Sequence, residues 1–237
     1  MNSKKVIKAN INSIKLAARS LLNGKTIIIP TDTVYGIAAD ATNEKGVENI
    51  FKIKKRPRTY PLILFVKSIK EAKKYAYFND IEEFLATHYW PGPLTLILRK
   101  KNRNIYNGDK RLSKIGIRIP KNKDVMNLLK VVNKPLATTS ANIHQEKNSN
   151  NINHLSLLHN DDVTHAISSH YRMSFAESTL VEVNKNKINL LRKGSISKKS
   201  IESNLKKICC LIKNYASTNA LKAVSYTHLT LPTNREV

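Results

Sequence analysis

Residues 26–36, TIIIPTDTVYG, decide how the rest of the chain is interpreted. The first five, 26–30, form a short, apolar, β-branched run, which is typical of a buried strand. Residues 30–36 then combine turn-forming side chains with two threonines and an aspartate. In open α/β sheets, ligands bind at the carboxyl ends of the strands. The sequence therefore predicts a binding crevice directly after this strand.

On both sides of this stretch, helical and strand patterns alternate. The spacing of apolar residues predicts helices at 10–23, 44–55, 69–77, 80–89, near 122–132 and at about 198–214. Short apolar runs predict strands at 62–66, 94–98, 116–120, 136–139, 163–168, 179–183 and 187–191. Residues 144–162, rich in Asn and His, are expected to form a mobile loop with one short helix. This alternation indicates an α/β or mixed three-layer fold.

Length and composition limit the class of protein. The 237 residues, 41% hydrophobic and 24% charged, match a globular chain that can bury a core. No apolar run reaches the ~18 residues of a transmembrane helix, and residues 1–15 lack the apolar stretch of a signal peptide. Cys209 and Cys210 are adjacent, which fits neither a disulfide framework nor a zinc site. We therefore expect a cytoplasmic protein with no membrane segment.

The charge of the chain is strongly positive. Lys and Arg number 41 against 17 Asp and Glu, a formal net charge of +24. Such an excess favours polyanionic partners, either nucleic acid or nucleotides. The alternative is a composition bias, because the chain is rich in Lys, Asn and Ile together. A non-catalytic RNA-binding module is a rival interpretation, although aromatic residues for base stacking make up only 6%.

Several familiar catalytic signatures are missing from the sequence. There is no GxxxxGK[ST] or GxGxxG segment for a nucleotide, and no GxSxG elbow for a hydrolase. There is no HExxH, and the pairs His154/His159 and His165/His170 are spaced by five residues, which fits one helical face poorly. We therefore predict no metal site built by protein ligands.

Hydroxyl and cationic side chains instead gather near the ends of predicted strands. They are Thr31, Thr33, Lys54, Arg56, Arg58, Arg118, Thr138, Thr139, Ser140, Asn142, Ser178, Thr179 and Arg192. Arg118 lies in an apolar strand and needs a carboxylate or phosphate, since burying an unpaired guanidinium is costly. That partner is either a ligand or an internal Asp or Glu. Hydroxyls and cations without an obvious general base fit phosphoryl or nucleotidyl transfer.

Each of these features also has a structural interpretation. The PTDT segment at 30–33 fits a turn with capping hydroxyls, and the basic run at 52–58 fits a solvated face. Residues 140–142, Ser-Ala-Asn, fit a helix N-cap. No single motif decides between structure and function, but their shared order along one chain does.

Seven segments resemble, in order, the YrdC-type threonylcarbamoyl-AMP synthase family, in its short bacterial, single-domain form. They are PTDTVYGIAAD, IFKIKKRPRTYPLILFV, WPGPLTLIL, IGIRIP, KPLATTSAN, ESTLVEV and LLRKGSIS. The resemblance implies a YrdC-like domain over residues 8–212, and we expect 213–237 to be a tail, disordered or non-native from about residue 224. The implied fold is α/β (mixed α+β): a twisted mixed β-sheet flanked by helices in three layers, with a deep basic cavity.

The resemblance also implies an activity. Members of this family are nucleotidyltransferases that condense L-threonine, bicarbonate and ATP to threonylcarbamoyl-AMP and pyrophosphate, with Mg²⁺ held mainly by the ATP phosphates. The product serves tRNA threonylcarbamoyladenosine modification by downstream tRNA threonylcarbamoyl-transferase proteins, and contact with tRNA or other RNA is a further expectation. A related alternative, a carbamoyl-transfer domain of hydrogenase maturation, usually belongs to a much longer chain.

The family's site residues map onto ten positions of this chain. The resemblance implies that Lys54 and Arg56 are catalytic and face the ATP phosphates. It implies threonine contacts at Thr33, Arg118, Thr138 and Ser178, and ATP contacts at Lys54, Arg56, Tyr60, Ser140, Asn142 and Arg192. Tyr60 and Phe65 are weaker assignments. Two segments depart from the family, because glycine is common in relatives where this chain has residues 143–146 and 173–177.

Overall fold

The computed structural model describes residues 5–101, 105–143, 151–185 and 187–207. By its internal contacts the chain divides into two compact units, residues 1–196 and 197–237. In the described part of the second unit, residues 198–207 are helical, as predicted. The rest of that predicted helix, the adjacent cysteines and the tail 213–237 lie outside the described residues, so the predicted boundary at 212 stays a prediction.

The described residues of the first unit contain one mixed sheet of ten strands, in the order β1-β8-β2-β3-β7-β4-β6-β5-β9-β10. The strands are β1 Val6–Lys8, β2 Thr26–Ile29, β3 Gly36–Asp40, β4 Ile63–Phe65, β5 Leu94–Arg99, β6 Lys114–Arg118, β7 Leu136–Ser140, β8 Val163–Ser168, β9 Thr179–Asn184 and β10 Lys187–Arg192. The mixed α/β fold class predicted from the sequence is confirmed. Strands β1 and β3 were not predicted, because β1 has three residues and β3 consists mainly of Gly and Ala, which favour strands weakly.

The bounds of the five helices of the first unit agree with the predicted bounds to within two residues at each end. They are α1 Ile11–Leu22, α2 Glu44–Lys54, α3 Ile69–Tyr75, α4 Asp80–Tyr89 and α5 Lys123–Val132, with 3₁₀ turns at Ile152–His154 and Ser156–His159. Part of the predicted loop at 144–162, residues 144–150, lies outside the described residues. Within the described ranges, no helix combines the length and apolar character that a membrane span needs.

Helices cover both faces of the central strands. Ile27, Ile29 and Ala38 pack in one core cluster with apolar residues of α1 and α5. Ala39 points to the other face, since neighbouring residues of a strand alternate. There it meets helix α2 at Gly46: a Cβ placed on Gly46 would lie 3.3 Å from the Ala39 Cβ. This two-sided burial explains why β2 and β3 carry no exposed residue.

The register of the central strands brings distant polar residues to one region. Strands β3 and β7 are antiparallel, and Gly36 lies opposite Ser140. Strands β4 and β6 are parallel, and Phe65 lies opposite Arg118. Residues that lie 104 and 53 positions apart in sequence thereby become neighbours, which no local pattern encodes.

Candidate active site

A cavity of about 730 Å³ lies against these central strands. All ten residues that the resemblance assigns to substrates line it: Thr33, Lys54, Arg56, Tyr60, Arg118, Thr138, Ser140, Asn142, Ser178 and Arg192. Phe65, a weaker assignment, lines it too. The structure therefore brings all of these assigned residues together, while their individual roles stay predictions. Arg58 and Thr179, which the sequence grouped with them, are not among the lining residues.

Arg118 is fixed in the cavity wall by three hydrogen bonds. Its Nη2 donates to Asp32 Oδ1 at 2.6 Å, its Nη1 to Thr33 Oγ1 at 2.9 Å, and its Nε to the Gly92 carbonyl at 3.0 Å. Burial lowers the pKa of this guanidinium below its ordinary value, and the Asp32 charge opposes that shift. A guanidinium has five N–H donors, so two remain for a ligand. Both partners foreseen for Arg118, an internal carboxylate and a ligand, are thus compatible.

The turn after β2 is organised by Thr31. Its Oγ1 accepts hydrogen bonds from the backbone N–H groups of Thr33 and Val34 and donates to the Val34 carbonyl at 2.7 Å. Because this bond uses the single hydroxyl hydrogen of Thr31, the 2.9 Å contact between the two hydroxyls is donated by Thr33. The Thr33 oxygen is then oriented to accept from Arg118. The PTDT segment therefore forms a turn capped by a hydroxyl, and Thr31 and Thr33 also line the cavity.

Lys54 ends helix α2 and is almost fully buried, with 1% of its surface exposed. Its Nζ donates to the Ser140 carbonyl at 2.5 Å and to both the carbonyl and the side-chain oxygen of Asn142. The helix stops here because Lys55 adopts the left-handed conformation. The ammonium group is therefore held by the Ser-Ala-Asn turn, inside the cavity lining and away from a solvated face.

Two arginines, Arg56 and Arg192, contribute positive charge to the cavity lining. Arg56 donates from Nε to the Tyr60 carbonyl at 2.8 Å, with the Tyr60 ring 5.6 Å from its Cζ. Arg192 donates from Nη2 to the Ser178 carbonyl at 3.0 Å and forms an ion pair with Glu177 at 3.0 Å. Burial lowers the pKa of Arg56, and the positive charge of Arg192 lowers it further. Two cations that destabilise each other favour an anion between them.

The remaining predicted hydroxyls are held by neighbouring strands. Thr138 Oγ1 donates to the Ile63 carbonyl at 3.1 Å across the β4–β7 pair. Ser178 Oγ lies 2.8 Å from Thr95 Oγ1 and accepts from Arg192 Nη2 at 3.0 Å. Both side chains are buried, with 2% and 3% exposed, so their positions are set by the sheet.

Sequence reasoning missed several residues of this site. Asp32 and Glu177 are the carboxylates that pair with Arg118 and Arg192. Tyr35 also lines the cavity, and burial raises the pKa of its phenol. Asp32 lay within the quoted PTDT motif, but its pairing with a residue 86 positions away had no local signal.

Among the described residues, the acidic side chains do not form a metal centre of their own. In the ranges that the structure describes, no group of three or more His, Cys, Asp or Glu is placed to hold a metal ion. Glu177, the acidic side chain in the described lining, is already paired with Arg192. These residues fit a Mg²⁺ ion bound mainly by phosphate oxygens.

Comparisons with known proteins agree with this arrangement. A Methanocaldococcus jannaschii protein named "Putative threonylcarbamoyl-AMP synthase" is 36% identical over 185 residues, which cover 77% of this chain and 86% of that protein. The threonylcarbamoyl-AMP synthase of Pyrococcus abyssi is 32% identical over 193 residues, 80% of this chain and 56% of that protein. The crystal structure of P. abyssi Sua5 complexed with L-threonine superposes with a TM-score of 0.77 at 28% identity, over 84% of this chain and 60% of that one.

The chain thus spans most of the first relative but less than two thirds of the P. abyssi protein. The Sua5/YciO/YrdC family model, whose description reads telomere recombination, matches residues 19–194. That range runs from within α1 to just past β10 and includes all ten assigned residues. The chain therefore belongs to the Sua5/YciO/YrdC family.

Proposed function

We propose that this protein is an L-threonylcarbamoyladenylate synthase, a nucleotidyltransferase that condenses L-threonine, bicarbonate and ATP. One observation carries the proposal: cations and hydroxyls from widely separated motifs line one cavity of about 730 Å³. That volume is within the range of about 300–1,000 Å³ that small-molecule sites occupy. The named activity of the relatives described above supports the same reaction.

L-Threonine is assigned to the part of the cavity around Arg118. The two guanidinium N–H groups that remain after its protein contacts match a carboxylate. Thr33 contacts Arg118 directly, and Thr138 and Ser178 add buried hydroxyl groups to the same cavity lining. These hydroxyls offer hydrogen bonds to the amino, carboxyl or hydroxyl group of the amino acid.

The ATP phosphates are assigned to Lys54, Arg56 and Arg192. Their three positive charges oppose a triphosphate that carries about four negative charges. Ser140 and Asn142, whose side chains lie 2.5 Å apart at Oγ and Oδ1, and Tyr60 complete the nucleotide side. Mg²⁺ would enter with ATP, neutralise charge on the phosphate oxygens and be held mainly by them.

The reaction needs positioning more than a strong base. The amine of threonine combines with bicarbonate to give the carbamate and water. A carbamate oxygen then attacks the α-phosphorus, an O–P bond forms, and the bond from the α-phosphorus to the bridging oxygen breaks as pyrophosphate leaves. Arg118 holds the amino acid while Lys54 and Arg56 hold the phosphates, and this juxtaposition replaces a bimolecular encounter. Charge developing on the phosphoryl oxygens is stabilised by the same cations.

The proposed biological setting follows from the product. Threonylcarbamoyl-AMP is a mixed anhydride that water destroys, so we propose direct use by downstream tRNA threonylcarbamoyl-transferase proteins in the cytoplasm. The net charge of +24 supports an additional contact with tRNA or other RNA.

The decisive experiment measures pyrophosphate release by the purified full chain with ATP and Mg²⁺. Release is expected only when L-threonine and bicarbonate are both present. Release that ignores either co-substrate, or none at all, contradicts the proposal. RNA binding that weakens steeply with salt, in a protein that never consumes ATP, would favour the RNA-binding module instead.

The assignment of Arg118 is tested by R118A, with R111A as the control, because Arg111 is an exposed arginine with 89% of its side chain accessible. R118A should lose L-threonine binding in calorimetry while ATP binding persists, which also shows that the variant is folded. Equal loss of both ligands would refute the assignment. R111A should bind both ligands normally.

A further inference from the structure

The segment between β8 and β9 forms one wall of the cavity. The Ser174 N–H donates to the Asp32 carbonyl at 3.0 Å, and the Phe175 N–H donates to the Thr33 carbonyl at 2.9 Å. These bonds dock the segment against the turn that holds Arg118. Phe175 itself lines the cavity. Its position is therefore set by main-chain bonds that do not involve its ring.

In this wall of the cavity, Phe175 has two energetically unfavourable features. Its φ of 57° is in the left-handed region, which bulky residues rarely adopt. Its apolar side chain remains 47% exposed. In the part of the chain that the structure describes, no ring or cation lies on its face, whereas Tyr60 lies under Arg56. A residue with a strained backbone whose apolar ring faces a ligand cavity without a packing partner indicates a functional contact.

The neighbours of Phe175 identify the ligand group. Glu177, two residues on, pairs with Arg192 on the phosphate side, and two residues span at most about 7 Å of chain. A base is tethered to its phosphates through one ribose, so it can reach a ring at this distance. A phenyl ring stacks on a nucleobase, whereas threonine offers only a methyl group. We propose that the Phe175 ring is the stacking contact for the purine base of the nucleotide, an inference that rests on the proposed use of ATP.

The test compares four variants with two probes. F175A removes the ring and keeps a strained backbone, F175G removes the ring and relieves the strain, and F175Y keeps a stacking ring. Leu191 provides the control, L191A, because it is another exposed apolar side chain, at 52%, and does not belong to the described cavity lining. The probes are ATP and inorganic tripolyphosphate, both with Mg²⁺, measured by calorimetry.

Both F175A and F175G should bind ATP about tenfold or more weakly, while tripolyphosphate affinity, which needs no base, stays unchanged. F175Y and L191A should bind both probes as the unmodified chain does. The proposal is overturned if ATP affinity does not change, if tripolyphosphate affinity falls by the same factor, or if F175G binds ATP normally while F175A does not. An unmodified chain that fails to bind ATP would instead refute the proposed function itself.

Discussion

Replacing Asp32 by asparagine tests whether the threonine side of the cavity depends on a buried charge pair. The substitution removes the charge that balances Arg118 but keeps an oxygen that can accept from Nη2 and from the Lys121 N–H, now at 2.6 and 3.0 Å. Asp32 Oδ2 is buried without a hydrogen-bond partner among the described residues. The amide group of asparagine can occupy that position. Any large loss of stability in D32N therefore reports on the missing negative charge beside Arg118.

The expected magnitude follows from burial. The side chains of Arg118 and Asp32 are 3% and 12% exposed, and breaking such a pair typically costs about 3–5 kcal/mol because a charge is left unpaired. Since one acceptor is retained, we expect D32N to lower the free energy of unfolding by about 3 kcal/mol. For a chain of this size, that corresponds to a melting temperature about 6–12 °C lower.

E83Q is the matched control. Glu83 contacts Lys73 at 2.5 Å, a similar distance, but the side chains are 50% and 43% exposed. Exposed pairs contribute about 0–1 kcal/mol. Denaturant unfolding followed by circular dichroism measures both variants. If D32N loses no more stability than E83Q, the buried pair does not hold Arg118 in the way described.

Two further predictions concern Lys54 and His165. K54M should lower kcat for pyrophosphate release by at least about 100-fold, because the ammonium opposite the phosphates is lost. K52M is the control, because it removes an exposed lysine from the same helix, and its kcat should stay within about twofold of that of the unmodified chain. A comparable loss of kcat in both variants would show that overall charge matters more than the position of the lysine. Burial lowers the pKa of His165 from its ordinary 6.5, so the unfolded chain binds the proton more readily and stability should fall as pH drops below about 6.5. H165Q, which keeps a partner for Ser20 at the 3.3 Å contact, should flatten that part of the stability profile measured by urea unfolding, and an unchanged slope would contradict the prediction.

Local patterns predicted most of the fold because each element carries its own signal. The run of isoleucines in β2 is buried on both faces, and α5 shows an apolar stripe that packs against α1. Strand β3 was not predicted because its Gly and Ala residues carry little strand signal of their own. They are buried because helices cover both faces of the sheet at this position. The strand conformation of β3 depends on β2 and β7, its partners in the sheet.

The site was predictable as a set of residues, but its pairings were not. Family motifs identified Arg118, yet its bond to Asp32 joins the end of β6 to the turn after β2, two strands that β3, β7 and β4 separate in the sheet. The left-handed backbone at Phe175 likewise depends on a hydrogen bond to Thr33, 142 positions away (175 minus 33). Contacts of this kind arise from strand order, which a single sequence does not encode locally.

The way in which each cation is held explains the division of the cavity. Lys54 and Arg56 are positioned by main-chain carbonyls, those of Ser140 and Tyr60 among them. Carbonyl dipoles orient a cation without cancelling its charge. Lys54 and Arg56 therefore leave the side proposed for the phosphates with positive charge to spare, and Glu177, about one third exposed, is the acidic side chain of the described lining that opposes it.

Arg118 differs from these cations because a full carboxylate, Asp32, accompanies it in the buried wall. The pair is close to neutral, so Arg118, the residue proposed to hold threonine, would attract a singly charged carboxylate through its remaining N–H groups rather than through net charge. A polyanion is accordingly drawn to Lys54 and Arg56 and gains little beside Arg118. Under the proposed function, this difference would orient the two substrates so that the carbamate oxygen formed on threonine lies beside the α-phosphorus of ATP.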